Sequence, residues 1–227
     1  MMDHSNILNI SNELDINVKT DSHINTEKLI GLDGENAIRL AELSLHKEDL
    51  KFADFCLNKI EIVGDSEEDY SLDEALWQFS IIRFIKCFNE GKRFKLSAET
   101  ILKNESSEAM KVFNYFKNFR DKNLVHDVNT FSQSTPFARL NAKDQKSKIQ
   151  QIDCILSKAN TLTQINYSNL KLLIRKSLSW VQTEFDALCK IIAVELETEQ
   201  YEELYKRKDI TIKPSKLCEI GKPRKTS

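Results

Sequence analysis

The sequence predicts an all-α fold, and two observations carry that prediction. Glycine and proline are scarce, at 5 and 3 among 227 residues, whereas sheet-rich folds need both residue types at their many turns. Apolar residues also recur at intervals of three and four over several long segments. That spacing is typical of the buried face of an amphipathic helix.

The bulk composition excludes several classes of protein. The formal net charge is -2 and the pI is about 6.1, so no overall positive field draws the chain to nucleic acid. Any such contact needs a local basic patch. The amino terminus lacks a charged start followed by an apolar run, and no segment reaches a membrane-spanning length. We therefore expect a cytoplasmic protein without membrane contact.

The cysteines show no spacing that is typical of a metal site. They are widely separated, and neither a Cys-x-x-Cys pair nor a Cys/His pairing occurs. His-x-x-x-His spacing and a glycine-rich phosphate loop are also missing from the sequence, so it predicts no metal and no cofactor. We interpret the five cysteines as reduced thiols, mostly in the core: Cys56, Cys87, Cys154, Cys189 and Cys218.

Three parts follow one another along the chain. Residues 1–25 mix polar residues with isolated isoleucines and predict a mobile N-terminal arm. Residues 26–205 carry the helical periodicity and predict the folded domain. Residues 206–227 hold several lysines and two arginines among proline and glycine, which predicts a basic, disordered tail.

Helical periodicity predicts the first elements of the domain. Two helices are expected at about 35–45 and 47–62. Ser71 and Glu74 have the spacing of a capping box, in which each side chain binds a free backbone N–H at the start of a helix. The helix that they open runs to about Asn89 and is apolar enough to lie at the centre of the core.

The second half of the domain is expected to be helical as well. A short helix follows Ser97, and a longer one covers about 107–126. A loop is predicted at 128–142, then a helix at 143–158, and finally a long helix over about 166–205.

The long C-terminal helix carries a regular apolar seam. Its members step by four and three residues, as the a and d positions of a heptad do. The seam can pack on the rest of the bundle, or it can form a dimer contact. The seam residues are Ile174, Leu178, Val181, Phe185, Leu188 and Ile192.

The helix over 107–126 changes character near its C-terminal end. At about 100° per residue, Arg120 falls near the middle of an apolar stripe, and Asn123 and Asp127 project to the same side. An arginine cannot be buried unpaired without a large cost. It must reach solvent, meet a carboxylate or line a cleft. The stripe consists of Ala109, Val112, Phe113, Phe116 and Phe119.

His126 follows Arg120 by six residues, which separates their side chains by roughly 120° on a straight helix. The two side chains therefore do not converge unless the helix ends or is distorted between them. Otherwise a second chain must complete the site. The geometry makes a shared site in a dimer plausible.

Histidine and arginine together suit the metal-free cleavage of RNA. Histidine exchanges protons near neutrality, so His126 could activate a ribose 2′-hydroxyl or protonate the leaving oxygen. Arginine carries a permanent charge that matches phosphate oxygens and stabilises the transition state. The plainer interpretation is structural, with His126 at the negative end of a helix dipole and Arg120 in an ion pair.

The segment Phe119-Arg-Asp-Lys-Asn-Leu-Val-His126 resembles the Arg-polar-x(3–5)-His signature of HEPN domains, in the Arg-x5-His form of abortive-infection and toxin-like branches. The order of a long apolar helix, a loop and the motif helix is also similar, over about residues 30–200. The resemblance implies an up-and-down four-helix bundle with additional helices. It also implies a homodimer that brings two motifs into one cleft.

The same resemblance implies a metal-independent endoribonuclease of a toxin or phage-defence type. Arg120 and His126 would be catalytic, Asp121 would fill the polar motif position, and we add Asn123 and Asp127 as supporting residues. The expected partners are RNA, a second copy and an antitoxin such as a nucleotidyltransferase-type protein. The alternative is a catalytically silent HEPN-like module for dimerisation or partner binding. RNA contacts are expected from Lys92, Arg93, Lys117 and Lys122.

Overall fold

The structure is a computed structural model that describes residues 28–61, 72–126, 132–143, 145–210 and 221–222. Of the described residues, 60% are helical and 12% lie in strands. The fold is therefore mostly helical, and the prediction of a strictly all-α protein is corrected by a two-stranded sheet. The chain forms two compact units, Met1–Leu40 with Leu188–Ser227, and Ala41–Ala187.

The first helix, α1, runs without interruption over Glu35–Asn58, where two shorter helices were predicted. No glycine or proline lies within it to break the ladder of hydrogen bonds. Gly34, just before the helix, has a φ of 88°, a value that glycine adopts without strain. The core-facing stripe of α1 consists of Leu43, Leu50, Ala53 and Leu57.

Three helices follow, α2 at Leu72–Lys86, α3 at Ala98–Ile101 and α4 at Ser107–Phe119. The predicted cap Ser71 lies outside the described residues. Helices α2 and α4 meet through aromatic rings, because Trp77 stands edge-on to Phe116 with centroids 5.8 Å apart. Ser80 of α2 donates a hydrogen bond of 2.9 Å to the carbonyl of Ala53, so α2 also lies against α1.

The long C-terminal helix is divided into α5, Gln164–Glu197, and α6, Tyr201–Lys206. Tyr167 of α5 donates a hydrogen bond of 3.1 Å to the carbonyl of Leu57 at the end of α1. In the predicted seam, Ile174 and Val181 are fully buried within a single chain. Their burial favours packing inside the domain as the role of that part of the seam.

Residues 132–158 form a β-hairpin, where a loop and a helix were predicted. Strand β1, Ser132–Leu140, pairs antiparallel with β2, Ile149–Lys158. The isoleucines of β2 recur at intervals of three, which fits one face of a helix, but β-branched residues also favour strands. Pro136 lies opposite Cys154, and β1 tolerates it because this strand is at an edge.

In the unit that combines Met1–Leu40 with Leu188–Ser227, the two segments of the chain contact each other. Ile30 and Asp209 form an antiparallel bridge, and Asn36 donates a hydrogen bond of 3.1 Å to Glu195. The predicted arm at 1–25 and most of the predicted tail at 206–227 lie outside the described residues. Among the helices that are described, none has the length and apolarity needed to cross a bilayer.

Candidate functional site

The Arg120–Leu124 segment at the end of α4 is a π-helical turn. The amide of Val125 donates to the carbonyl of Arg120 at 3.0 Å, which is the i to i+5 bond of that geometry. The α-helical register therefore stops at Phe119, one residue before the motif begins. The sequence predicted that the two side chains converge only if the helix ends or is distorted between Arg120 and His126. In the structure the α-helix ends at Phe119 and continues as a π-helical turn, so both occur.

The guanidinium of Arg120 is held from two sides. One terminal nitrogen donates to the Asp121 carboxylate at 2.5 Å. With the Asn89 amide turned so that its oxygen faces the arginine, that oxygen accepts bonds of 2.7 and 3.1 Å from the two terminal nitrogens. The side chain is 21% exposed, and its Nε is buried without a partner. Arg120 thus meets a carboxylate and still reaches solvent.

The other motif residues occupy different environments. His126 is exposed beyond the last helical turn, and no hydrogen bond or ion pair of its side chain occurs within the described part of the chain. Asn123 is half-buried and has a partner. Asp127, the second supporting residue, lies outside the described residues. The sequence did not indicate Asn89, which lies three residues after the end of α2.

The four cations that were predicted to contact RNA differ in their exposure to solvent. Lys92, Lys117 and Lys122 are exposed. Arg93 is only 14% exposed, and its guanidinium contacts the Asp49 carboxylate at 2.5 Å. One of the four, Arg93, is therefore held in an ion pair inside the protein, and the three lysines remain exposed.

A second charged cluster, which the sequence reasoning missed, surrounds Asp49 of α1. This carboxylate is 7% exposed and contacts three cations at once. Arg83 lies 2.6 Å from Oδ1, while Lys86 and Arg93 lie 3.1 and 2.5 Å from Oδ2. Burial raises the pKa of Asp49, but hydrogen bonds from Arg93 and Lys86 outweigh it and leave the pKa below the ordinary value.

Two further polar side chains of α1 point the same way as Asp49. The Nε2 of buried His46 lies 2.8 Å from the carbonyl of Phe94, and Glu42 accepts a bond of 3.1 Å from the Phe94 amide. Burial and the nearby Arg93 lower the pKa of His46 to about 4, so the ring is neutral at pH 7 and donates through Nε2. Glu42, His46 and Asp49 interrupt the apolar stripe of α1 at helical spacing, a signal that was readable in the sequence.

The described residues hold no group of three or more His, Cys, Asp or Glu side chains that could bind a metal ion. Comparison with known protein families, with curated proteins and with solved structures finds no match to this chain. What the motif end and the Asp49 cluster can do chemically is therefore inferred from their geometry alone. The motif end offers a held arginine and an exposed histidine, and the Asp49 cluster offers concentrated positive charge.

Proposed function

We propose that this protein is a HEPN-like, metal-independent endoribonuclease of a toxin or phage-defence type, acting in the cytoplasm. Its catalytic groups are His126, as general acid or base, and Arg120, as the phosphate-binding cation. The observation that carries the proposal is the position of Arg120 in a π-helical turn at the end of α4. Such turns often occur at functional sites, and Asn89 and Asp121 hold this arginine while leaving it partly exposed.

The chemistry follows from the two side chains. Neutral His126 removes the proton of a ribose 2′-hydroxyl, and that oxygen attacks the adjacent phosphorus. The bond from phosphorus to the 5′-oxygen breaks, and a second acid protonates the leaving oxygen. The products are a 2′,3′-cyclic phosphate and a 5′-hydroxyl. Arg120 donates to the phosphate oxygens as negative charge accumulates on them.

One histidine cannot serve as base and acid in the same step, so a homodimer with two motifs in one cleft suits the mechanism. In this proposal α1, α2, α4 and α5 are the four members of an up-and-down bundle. Asp121 sets the orientation of Arg120 through their contact of 2.5 Å. An antitoxin such as a nucleotidyltransferase-type protein would cover the cleft and prevent cleavage of cellular RNA.

The test is RNA cleavage in EDTA by the wild-type protein and by His126→Ala and Arg120→Ala variants. We expect cleavage by the wild type, with 2′,3′-cyclic phosphate ends, and a loss of at least 100-fold in either variant. Lys111→Ala is the control, because this exposed lysine of α4 pairs with Glu108 and is not among the expected RNA contacts, so its loss should change the rate by less than about threefold. A 2′-O-methyl RNA of the same sequence should remain intact.

The second candidate is a catalytically silent HEPN-like module that binds a partner protein. The β-hairpin favours it, because nearly every residue of both strands is exposed, and Ile152 and Leu156, which share one face of β2, are 76% and 78% exposed. Large exposed apolar patches mark protein interaction sites. This function replaces the first if wild-type protein leaves RNA intact at micromolar concentration. Cleavage that persists unchanged in His126→Ala overturns the assignment of His126 as a catalytic group.

A further inference from the structure

Three phenylalanines that belong to neither charged cluster form an exposed group on α1 and α2. Phe52, Phe55 and Phe79 are 38%, 53% and 45% exposed. The Phe52 ring lies 6.1 Å from the Phe55 ring and 5.6 Å from the Phe79 ring, measured between centroids. Single exposed apolar residues are ordinary on protein surfaces, but three adjoining aromatic rings mark a binding surface.

Cations lie directly among these rings. The guanidinium carbon of Arg83 is 4.9 Å from the centroid of Phe52 and 5.6 Å from that of Phe79. The ammonium of Lys59 is 5.6 Å from the centroid of Phe55. An arginine over an aromatic face combines a flat surface for stacking with a positive charge.

The charge beneath the rings is not balanced. Arg83, Lys86 and Arg93 share the carboxylate of Asp49. With the buried carboxylate of Glu42 beside Phe94 counted as well, three cations face two carboxylates, which leaves an excess of one positive charge. The side chain of Lys86 is 52% exposed and faces solvent at the rim of this cluster. An incoming group with negative charge is therefore favoured over a neutral apolar one.

We propose that these residues form a binding surface for single-stranded nucleic acid. The aromatic–cationic surface consists of Phe52, Phe55, Phe79, Arg83 and Lys86. Bases stack on the phenylalanine rings, and Lys86, the most exposed cation of the cluster, contacts a backbone phosphate. Arg83 is held by Asp49 and contributes positive charge beside the rings. This combination of stacking platforms and cations binds single strands without a sequence preference, because every base has a flat face.

The surface adjoins the candidate catalytic end through α2. Lys86 is the last residue of that helix, and Asn89, three residues later, binds Arg120. A single strand lying across the phenylalanines would thus extend toward the motif. The proposal goes beyond cleavage and does not require it, because stacking and phosphate contacts need no 2′-hydroxyl. DNA is therefore expected to bind as well as RNA.

The test measures fluorescence anisotropy of two labelled 12-mers, oligo(dT) and 2′-O-methyl oligo(U), with the full-length protein at low and moderate salt. Neither probe can be cleaved by 2′-hydroxyl attack, so binding is read apart from catalysis. We expect both to bind the wild type and the Phe52→Leu/Phe79→Leu variant to bind at least about tenfold more weakly. Lys86→Gln should lower the slope of log K against log salt by about one.

Leucine keeps the apolar area and removes only the ring face, so the double variant separates stacking from simple apolar contact. Tyr201→Leu, at an exposed ring on α6, is the matched control and should bind as the wild type does. Thermal melts establish that each variant is folded. No binding by the wild type at low salt, or equal binding by the double variant, overturns the proposal. The proposal is also overturned if neither oligonucleotide binds while the wild type and the double variant both self-associate. That result would identify the surface as a protein contact.

Discussion

Arg120 and Asp49 are each the centre of a charged cluster, but the two clusters are built in opposite ways. At the motif end one cation, Arg120, has two acceptors, and its neighbour in sequence supplies the carboxylate. Around Asp49 one carboxylate has three cations, and all of them come from more than 30 residues away. The carboxylate that pairs with Arg120 is local, and the neutral amide of Asn89 ties the arginine to a distant segment, so the motif end can adjust without breaking an ion pair between helices. The Asp49 cluster fixes α1 to α2 and to the connection after it through three ion pairs.

This difference predicts that the Asp49 cluster carries stability and the motif end carries chemistry. Removing a buried carboxylate leaves its cations uncompensated, while removing an exposed one costs little. The comparison can be tested one residue at a time, by the free energy of unfolding in urea.

Asp49→Ala is expected to show the largest effect, a loss of about 3 kcal/mol in the free energy of unfolding. The value lies at the low end for a buried pair because Lys86 and Arg83 can turn toward solvent. Glu48→Ala is the matched control on the same helix. Glu48 is exposed, and its ion pair within the described residues is with Lys51, so its loss should cost less than about 1 kcal/mol. Equal effects of the two substitutions would contradict the comparison.

His46 should give stability a dependence on pH. Its pKa in the fold is about 4 against 6.5 in the unfolded chain, so between these values the unfolded chain binds more protons. Stability is therefore complete above pH 6.5 and falls by about 3 kcal/mol as the pH is lowered to 4. Asp49 acts in a lower window, because its lowered pKa keeps the carboxylate charged until the pH falls below the ordinary range.

His46→Gln isolates the contribution of this histidine. Glutamine keeps an N–H that can donate to the carbonyl of Phe94 but has no proton to gain above pH 4. Subtracting the variant's urea stability from that of the wild type at each pH should leave a difference that varies by about 3 kcal/mol between pH 7 and 4. A difference that is flat over this range would show that His46 does not titrate as a buried group.

Local patterns predicted much of the fold, and the errors have identifiable causes. The helices at α2, α4 and α5 follow from apolar spacing, and the short α3 follows from Ser97, whose side chain accepts from the Thr100 amide. The hairpin was missed because isoleucines three apart fit both a helix and a strand. Pairing with β1 decides between them, and that partner is separated from β2 by a loop.

The sites were predictable to different degrees for the same reason. Arg120 and its carboxylate are adjacent in sequence, so a motif can include both. Asn89 and the Asp49 cluster depend on which helices pack together, and no local pattern contains that information. The polar residues within the stripe of α1 marked positions that needed partners, without indicating that Arg83 and Arg93 would supply them.

Arg120→Met should have an intermediate effect on stability. Methionine keeps an apolar stem but loses the bonds to Asp121 and Asn89. Because the Nε of Arg120 is already buried without a partner, the net loss should be only about 1 kcal/mol. Lys117→Met, at an exposed position of α4, is the control and should lie within about 0.5 kcal/mol of the wild type. If Arg120→Met lowered the free energy of unfolding as much as Asp49→Ala does, the main role of Arg120 would be structural.

His126→Ala should have the smallest effect on stability, within about 0.5 kcal/mol of the wild type, because its side chain is exposed and has no partner in the described part of the chain. Urea unfolding and RNA cleavage should be measured on the same preparation. Unchanged stability with lost cleavage assigns a chemical role, since a residue that supports nothing structurally can affect the rate only by acting on the substrate. A destabilised variant would instead show that His126 supports the structure of the motif end, as Asp49 supports the packing of α1.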